Sequence, residues 1–278
     1  YDFLIRNNYS RDCVIFGIGG GITCDMTGFI ASTFLRGVNF VLVPTTLLSQ
    51  VDASIGGKTG VNHKGFKNMI GTFNQPVQVI IDTKFLKSLS KLEIQCGLME
   101  VIKHGLISDK SFFVWLEKNL KQILSLKPQF IERAIKRSIE IKADVVSKDE
   151  KENGLRAILN FGHTFGHALE TIGNNKLYTH GEAVALGMLA ATKLSESISD
   201  LDPKVFDRVH STIKNTGIKV KLKKKIFPKK LIKLMQSDKK KNNSQLKFIL
   251  LEKIGKAKIK SVNNEVAIEN AIKNSLFY

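Results

Sequence analysis

The stretch Val14-Ile15-Phe16-Gly17-Ile18-Gly19-Gly20-Gly21 decides how the front of the chain is read. A mostly apolar run ends in three glycines. That pattern predicts a buried strand running into a tight turn. Asp25 through Leu35 follows, with Met26, Phe29, Ile30 and Phe34 apolar, and predicts a helix with Asp25 near its start. Phe40-Val41-Leu42-Val43 is the next strand, stopped by Pro44-Thr45-Thr46. Strand, glycine turn, helix and strand form one βαβ unit of a parallel sheet. Ligands of such sheets bind beyond the carboxyl ends of the strands, where Gly19–Gly21 and Pro44–Thr46 would both lie. Backbone N–H groups at a helix start can meet a pyrophosphate there. A nicotinamide cofactor is the inference, with ATP and a flavin left open on physical grounds alone.

Beyond this unit, residues 50–72 read as a long glycine-rich loop carrying lysines, the mark of a substrate loop. Its Gly56-Gly57-Lys58-Thr59 is not a phosphate loop of the G-x-x-x-x-G-K-[ST] kind, because position 52 is Asp. Val77–Asp82 is a last strand. From about residue 85 the pattern turns helical, over 91–106, 111–124, 128–148, 154–173, 180–199, 203–216, 228–236 and 265–276. Residues 246–251 begin by alternating and fit a short strand. The expected organisation is therefore an α/β region over 1–84 followed by a mostly helical region over 85–278, with the functional cleft between them.

Composition narrows the function classes. The 278 residues are 43% hydrophobic, enough for a sizeable core, and carry a formal net charge of +18. Residues 219–260 hold sixteen lysines against Asp238 and Glu252. This run lacks arginine, and its aromatics are Phe227 and Phe248 alone. A solvated lysine-rich surface is the expectation, and nucleic acid is not the expected partner. Cys13, Cys24 and Cys96 are too scattered for a disulfide framework, which fits a reducing, cytoplasmic setting. No apolar run reaches the roughly 18 residues needed to span a bilayer, so no membrane partner is expected.

The chemistry-bearing stretch is Leu159-Asn160-Phe161-Gly162-His163-Thr164-Phe165-Gly166-His167-Ala168-Leu169-Glu170. Histidines four apart share one helix face. His180 follows in Tyr178-Thr179-His180-Gly181-Glu182, and Glu100 precedes in Glu100-Val101-Ile102-Lys103-His104. Imidazoles plus a carboxylate, with a position left open for water or substrate, suit a catalytic Zn²⁺. Spacing alone pairs His163 with His167. Gly162 and Gly166 lower helix stability and mark a place where something approaches the backbone closely.

Taken together, Gly19-Gly20-Gly21, Asp25, Arg36-Gly37, Pro44-Thr45-Thr46, Val51-Asp52, Gly56-Gly57-Lys58-Thr59-Gly60, Lys67-Asn68, Glu100-Val101-Ile102-Lys103, the histidine segment and His180-Gly181-Glu182 resemble the 3-dehydroquinate synthase family in order and spacing. The resemblance runs from near residue 10 to near residue 255. It implies a Rossmann-like NAD-binding α/β domain followed by a helical metal-binding domain. It implies a homodimer, NAD as a recycled cofactor, and a divalent metal, Zn²⁺ with Co²⁺ as the alternative. The activity implied is conversion of a sugar-phosphate substrate, 3-deoxy-D-arabino-heptulosonate 7-phosphate, to 3-dehydroquinate and phosphate.

Roles follow position by position from the resemblance. Glu100, His163 and His180 match the metal ligands, and His167 moves to the substrate side. Lys103, Lys142 and Arg156 match groups holding substrate carboxylate or hydroxyls. Lys58, Asn68 and Asn160 match substrate or phosphate contacts, and Asp52 a substrate-binding carboxylate. Arg36 matches an arginine reaching the phosphate from the dimer partner. Lys239 or Lys240 matches a further substrate lysine. Gly19, Gly20, Gly21, Asp25, Thr45, Thr46, Lys58, Lys67 and the segment Phe85, Leu86, Lys87, Ser88 match cofactor-contacting positions. Cys24 stands where the family has glycine and is expected to crowd the cofactor turn. The family carries a first βα unit for the adenosine half of NAD before the point where this sequence begins, so the chain reads as N-terminally shortened. Related sugar-phosphate cyclases, polyol dehydrogenases and an inactive remnant are the competing readings.

Overall fold

A computed structural model describes residues 1–64, 66–173, 176–239 and 246–276, without the side chains of residues 66, 67 and 237–239. The side chains of Lys67 and Lys239, and all of Lys240, fall outside the described parts. A short helix α1 (Asp2–Arg6) leads to strand β1 (Val14–Gly19), helix α2 (Gly21–Thr33) and strand β2 (Asn39–Pro44). β1 runs parallel to β2, with Val14 opposite Asn39 and Gly19 opposite Pro44. The βαβ unit of the sequence reading is therefore present. α2 starts at Gly21 rather than near Asp25. Gly20 holds an extended N-cap conformation, and the helix begins directly at the strand end. Asp25 thus lies one turn inside it.

Residues 50–72 are not a loop. A π-helical turn over Ser49–Ala53 leads into a hairpin of β3 (Lys58–His63) and β4 (Phe66–Phe73). Gly60 faces Gly71 across the ladder, so the alternation that reveals a strand has no side chains at its middle. Strand β5 is only Gln78–Val79, although Val77 and Ile80 also donate to carbonyls of β2, to Phe40 O and Leu42 O. It lies on the other side of β2, giving the parallel order β1-β2-β5.

The helical part comprises α3 (Lys91–Ser108), α4 (Lys110–Leu124), α5 (Pro128–Lys148), α6 (His163–Ile172), α7 (His180–Ser199), α8 (Lys204–Asn215) and α9 (Pro228–Lys239). A hairpin of β6 (Lys247–Lys253) and β7 (Lys256–Ser261) and the helix α10 (Glu265–Leu276) complete it. α3 is the centre: every residue from Ile94 to Ile107 is buried. A helix buried all round is normally apolar all round, yet α3 carries Glu100, Lys103 and His104. A second, smaller core of Cys24, Ala31, Phe34, Val38, Phe40 and Leu42 lies between α2 and the sheet. Cys24 is 1% exposed within it, and its thiol donates to Gly19 O at 3.9 Å, so it packs against the back of the glycine turn. Among the described residues, no helix is long and apolar enough to cross a membrane.

The helix expected over 154–173 is broken in two. A 3-10 turn spans Leu155–Asn160, and α6 starts afresh at His163 after Gly162 at φ +82°. α7 forces the break by its closeness: a Cβ on Gly162 would lie 2.7 Å from the backbone nitrogen of Met188. Gly162→Ala therefore meets both an unfavourable φ and a backbone clash. It should cost about 2 kcal/mol or more, read as a lower midpoint in thermal unfolding followed by circular dichroism. An unchanged midpoint would show that the two helices can separate freely.

Candidate active site

Three helices bring their chemistry to one point. Glu100 and Lys103 lie one turn apart on α3 at 0% and 1% exposure, and their side chains form an ion pair. His163 and His180 are the first residues of α6 and α7. His180 is aimed by a capping box: Thr179 Oγ1 accepts from Glu182 N at 3.3 Å, and Glu182 Oε2 accepts from Thr179 N at 2.9 Å. Lys223 Nζ closes on Glu182 at 2.7 Å, so one lysine of the basic segment is tied into the site's support.

His180 Nε2 stands 3.3 Å and His163 Nε2 3.7 Å from Glu100 Oε1. One donor atom from each of these residues falls within 4.8 Å of the others. His163 Nδ1 lies 3.3 Å from Phe161 O; a proton donated there leaves the Nε2 lone pair facing Glu100. Two imidazole nitrogens and one carboxylate at this separation fit a divalent cation of the Zn²⁺ class. His167 does not join this trio. Its ring is edge-on to His163, with centroids 5.4 Å apart, and it lines a neighbouring cavity.

Electrostatics separate the two histidines of the trio. Burial, reinforced by Lys103, pushes His163 down to about 3, so it is a neutral donor. Burial also disfavours the His180 cation, but carboxylates on both of its nitrogens, Glu100 and Glu170, push it up to about 10. Burial opposes the charge on Glu100, yet Lys103 and the two histidines hold its carboxyl well below the usual range. Asp52 is likewise held low against its burial, chiefly by Lys142. Lys142 Nζ donates to Asp52 O at 2.6 Å and also to its carboxylate.

A small cavity of about 90 Å³ opens beside the trio, walled by Lys58, Lys103, Lys142 and Arg156 together with Asp52, Glu152, Asn160 and His163. Arg156 is 2% exposed, and its guanidinium donates to Gly56 O at 2.8 Å and to Glu150 O. A larger cavity of about 410 Å³ shares Glu152, Asn160 and His163 and continues past His167 to Leu234, Met235 and Ile249. Arg36 and Asn68 line neither cavity; both are exposed, Arg36 after α2 and Asn68 on the β3–β4 hairpin.

Two residues of the site escape the sequence reading. Glu152 accepts from Asn160 Nδ2 at 2.6 Å and pairs with Lys58, joining two groups read as substrate contacts. Its signal is faint: Asp149, Glu150 and Glu152 around Lys151, closely followed by Arg156. His104 is fully buried beneath Glu100 and Asp52, with Nδ1 2.9 Å from Ser138 Oγ. Its donor atom lies within 4.8 Å of those of Asp52 and Glu100. Lys103 and Lys142 already neutralise that second group.

The glycine turn fits a dinucleotide. Gly20 gives α2 no side-chain cap, and a Cβ there would come 3.3 Å from Thr46 Cγ2, so the turn's backbone is kept bare. Thr45 N donates to Gly19 O at 2.9 Å, fixing the two strand ends together. Phe85, Lys87 and Ser88 are exposed on the 3-10 turn Thr83–Ser88, whereas the side chain of Leu86 is packed in the main core.

The family models for the 3-dehydroquinate synthase N-terminal and C-terminal parts match residues 1–96 and 97–241. The 3-dehydroquinate synthase of Nitrosomonas europaea is 47% identical over 257 residues, which is 92% of this chain and 69% of that protein. Among solved structures, 2-epi-5-epi-valiolone synthase from Streptomyces hygroscopicus, with NAD⁺ and Zn²⁺ bound, is 27% identical at a TM-score of 0.90. The match covers 98% of this chain and 76% of that one. A 2-deoxy-scyllo-inosose synthase complexed with carbaglucose-6-phosphate, NAD⁺ and Co²⁺ is 27% identical at a TM-score of 0.86, covering 99% and 77%.

Asp25 joins the cofactor turn to this charged cluster. Burial first, and then Asp52, raise its carboxyl from 3.8 to about 7, with Lys142 in partial opposition. A carboxyl raised by folding contributes stability that is complete below its unfolded value and lost as pH climbs through the folded one. Asp25→Asn removes this titration. The variant's urea midpoint should therefore gain on the parent's between pH 4 and pH 8; a constant difference would place Asp25 in water.

Proposed function

The chain belongs to the 3-dehydroquinate synthase family, and from that premise we propose that it converts 3-deoxy-D-arabino-heptulosonate 7-phosphate to 3-dehydroquinate and phosphate, a step of the shikimate route to aromatic amino acids. One observation carries the reading: two imidazoles and a carboxylate abut a pocket whose walls hold Lys58, Lys103, Lys142 and Arg156. A substrate with both a carboxylate and a phosphate needs such cations. A neutral polyol does not, and burying Lys103, Lys142 and Arg156 for it would be costly.

In this reading Glu100, His163 and His180 hold a divalent metal, and the turn Gly19–Gly21 with Thr45 and Thr46 holds NAD. When bound, the metal supplies Lewis acidity to a substrate hydroxyl and NAD supplies reversible hydride transfer. The chain's own groups bind and orient. Lys103 offsets the Glu100 charge, so the ligand set carries no surplus negative charge. Lys142, fixed by Asp52, keeps its ammonium aimed into the small cavity and donates to the substrate carboxylate or a hydroxyl. Arg156 offers a fork for a carboxylate, held in place by its bonds to Gly56 O and Glu150 O. Lys58 and Asn160 are held by Glu152; an entering phosphate takes over from that carboxylate. His167, on the wall of the larger cavity, hydrogen-bonds the substrate beside the metal. Such positioning makes the elimination and ring closure intramolecular in effect.

The same reading assigns residues 1–84 to the cofactor and 85–278 to metal and substrate. It makes the enzyme a cytoplasmic homodimer in which exposed Arg36 reaches the neighbouring subunit's phosphate site, with Asn68 and Lys239 or Lys240 completing the substrate contacts and Lys67 at the cofactor.

Phosphate release from the heptulosonate phosphate tests it. Release should require both NAD and Zn²⁺, and glycerol should not be oxidised. Glu100→Ala and His163→Ala should each lose bound metal and at least about a hundredfold in turnover. Metal retained in both variants would defeat the ligand assignment, and oxidation of glycerol without phosphate release would favour a polyol dehydrogenase.

A further inference from the structure

One buried carboxylate beside the trio has no part in the chemistry described above. Glu170 is 8% exposed on α6, and its Oε1 lies 3.5 Å from His180 Nδ1. On the other side of the same ring, Nε2 faces Glu100 at 3.3 Å. The imidazole thus stands between two carboxylates, each addressing a different nitrogen. Glu170 is seven residues from His163, two turns along α6, so both project from one face. A helix that carries one metal donor therefore also carries the group that meets the donor of another helix.

A buried charge is costly unless it is paired, and α6 packs along α7 through small and apolar residues that an alanine or leucine at 170 would extend. Packing alone does not account for a carboxylate there. Metal-binding histidines characteristically donate the second ring proton to a carboxylate or carbonyl, which fixes the tautomer and raises ligand basicity. His163 meets this need with the Phe161 carbonyl. At His180 Glu170 occupies that place, its Oε1 3.5 Å from Nδ1.

We propose that Glu170 is a positioning residue for the metal centre: it accepts the Nδ1 proton of His180 and so holds Nε2 toward the ion. The inference rests on the metal-ligand reading given above and is tested separately from it.

Zn²⁺ affinity is measured by chelator competition on the full chain, for the parent, His163→Ala, Glu170→Gln and Glu170→Ala. Thermal midpoints of the metal-free proteins are recorded alongside. Glu170→Ala should bind Zn²⁺ about tenfold to a hundredfold more weakly. Glu170→Gln should lose less, because its amide oxygen still accepts the proton. Nitrogen NMR of the zinc-loaded parent should show His180 protonated at Nδ1, with that signature weakened in Glu170→Ala. Parent-like zinc affinity in Glu170→Ala, while His163→Ala loses the metal, overturns this proposal alone. Undiminished zinc affinity in His163→Ala overturns the ligand assignment beneath it. If both Glu170 variants melt far below the parent, the tautomer of the parent decides, and protonation at Nε2 overturns the role.

Discussion

A carboxylate with no exposure at all governs this molecule. Glu100 sits on a helix buried from Ile94 to Ile107, where an unpaired charge could not persist. Its neighbours are the answer to that constraint. Lys103 stands one turn on, His163 and His180 present nitrogens from two other helices, and Asp52 with Lys142 forms a second pair alongside. Removing one partner from such a buried pair typically costs about 3–5 kcal/mol. The site and the core are therefore not separable parts: the charges that do chemistry are the ones that the packing must accommodate. Two anions against two lysines leave the group near neutrality. A dication and an anionic ligand can then enter together without leaving net charge in the interior.

Bringing three helices to one carboxylate needs unusually close backbones. α6 and α7 touch through Gly162, Gly166, Ala183 and Gly187; a Cβ on Gly187 would stand 2.0 Å from Gly162 O. This contact runs the two helices antiparallel, the start of α6 against the third turn of α7, and the His163 and His180 rings meet with centroids 5.5 Å apart. The capping box of α7 then fixes the direction of the second imidazole. Glycines that weaken an isolated helix thus act here through tertiary approach, and the break before His163 is part of the same arrangement.

How much of this could be seen in the chain depends on whether the signal was local. The βαβ unit was legible because its parts are contiguous: an apolar run, bare turn residues, a helix and another apolar run. α5 was legible to both ends because Pro128 marks its start and Ile131, Ala134, Ile135 and Val145 keep a helical period. The β3–β4 hairpin was hidden by Gly60 opposite Gly71, and β7 by lysines at alternating positions 256, 258 and 260. The candidate site was the least local part. No periodicity connects Glu100 to His163 or His180, and helical spacing pointed instead to His163 with His167. Family likeness supplied the grouping, and the folded chain places those three donors within reach of one another. Glu152 and His104 had no motif to announce them; each matters because of what tertiary contact puts beside it.

The lysine-rich segment has a consequence of another kind. Lys223 is anchored on Glu182, Lys256 and Lys258 on Glu252, and Lys247 borders the larger cavity. Lys247 thus stands with Lys58, Lys103, Lys142 and Arg156 among the cations that line the two cavities, while Glu182 and Glu252 offset the other three. Cations lining a cleft give it a positive potential, and such clefts can raise capture rates of anions by roughly 10- to 1,000-fold at low ionic strength. At the roughly 8 Å screening length of physiological salt, only the lysines nearest the mouth still act. Capture of an anion by such a cleft would therefore slow as salt is added.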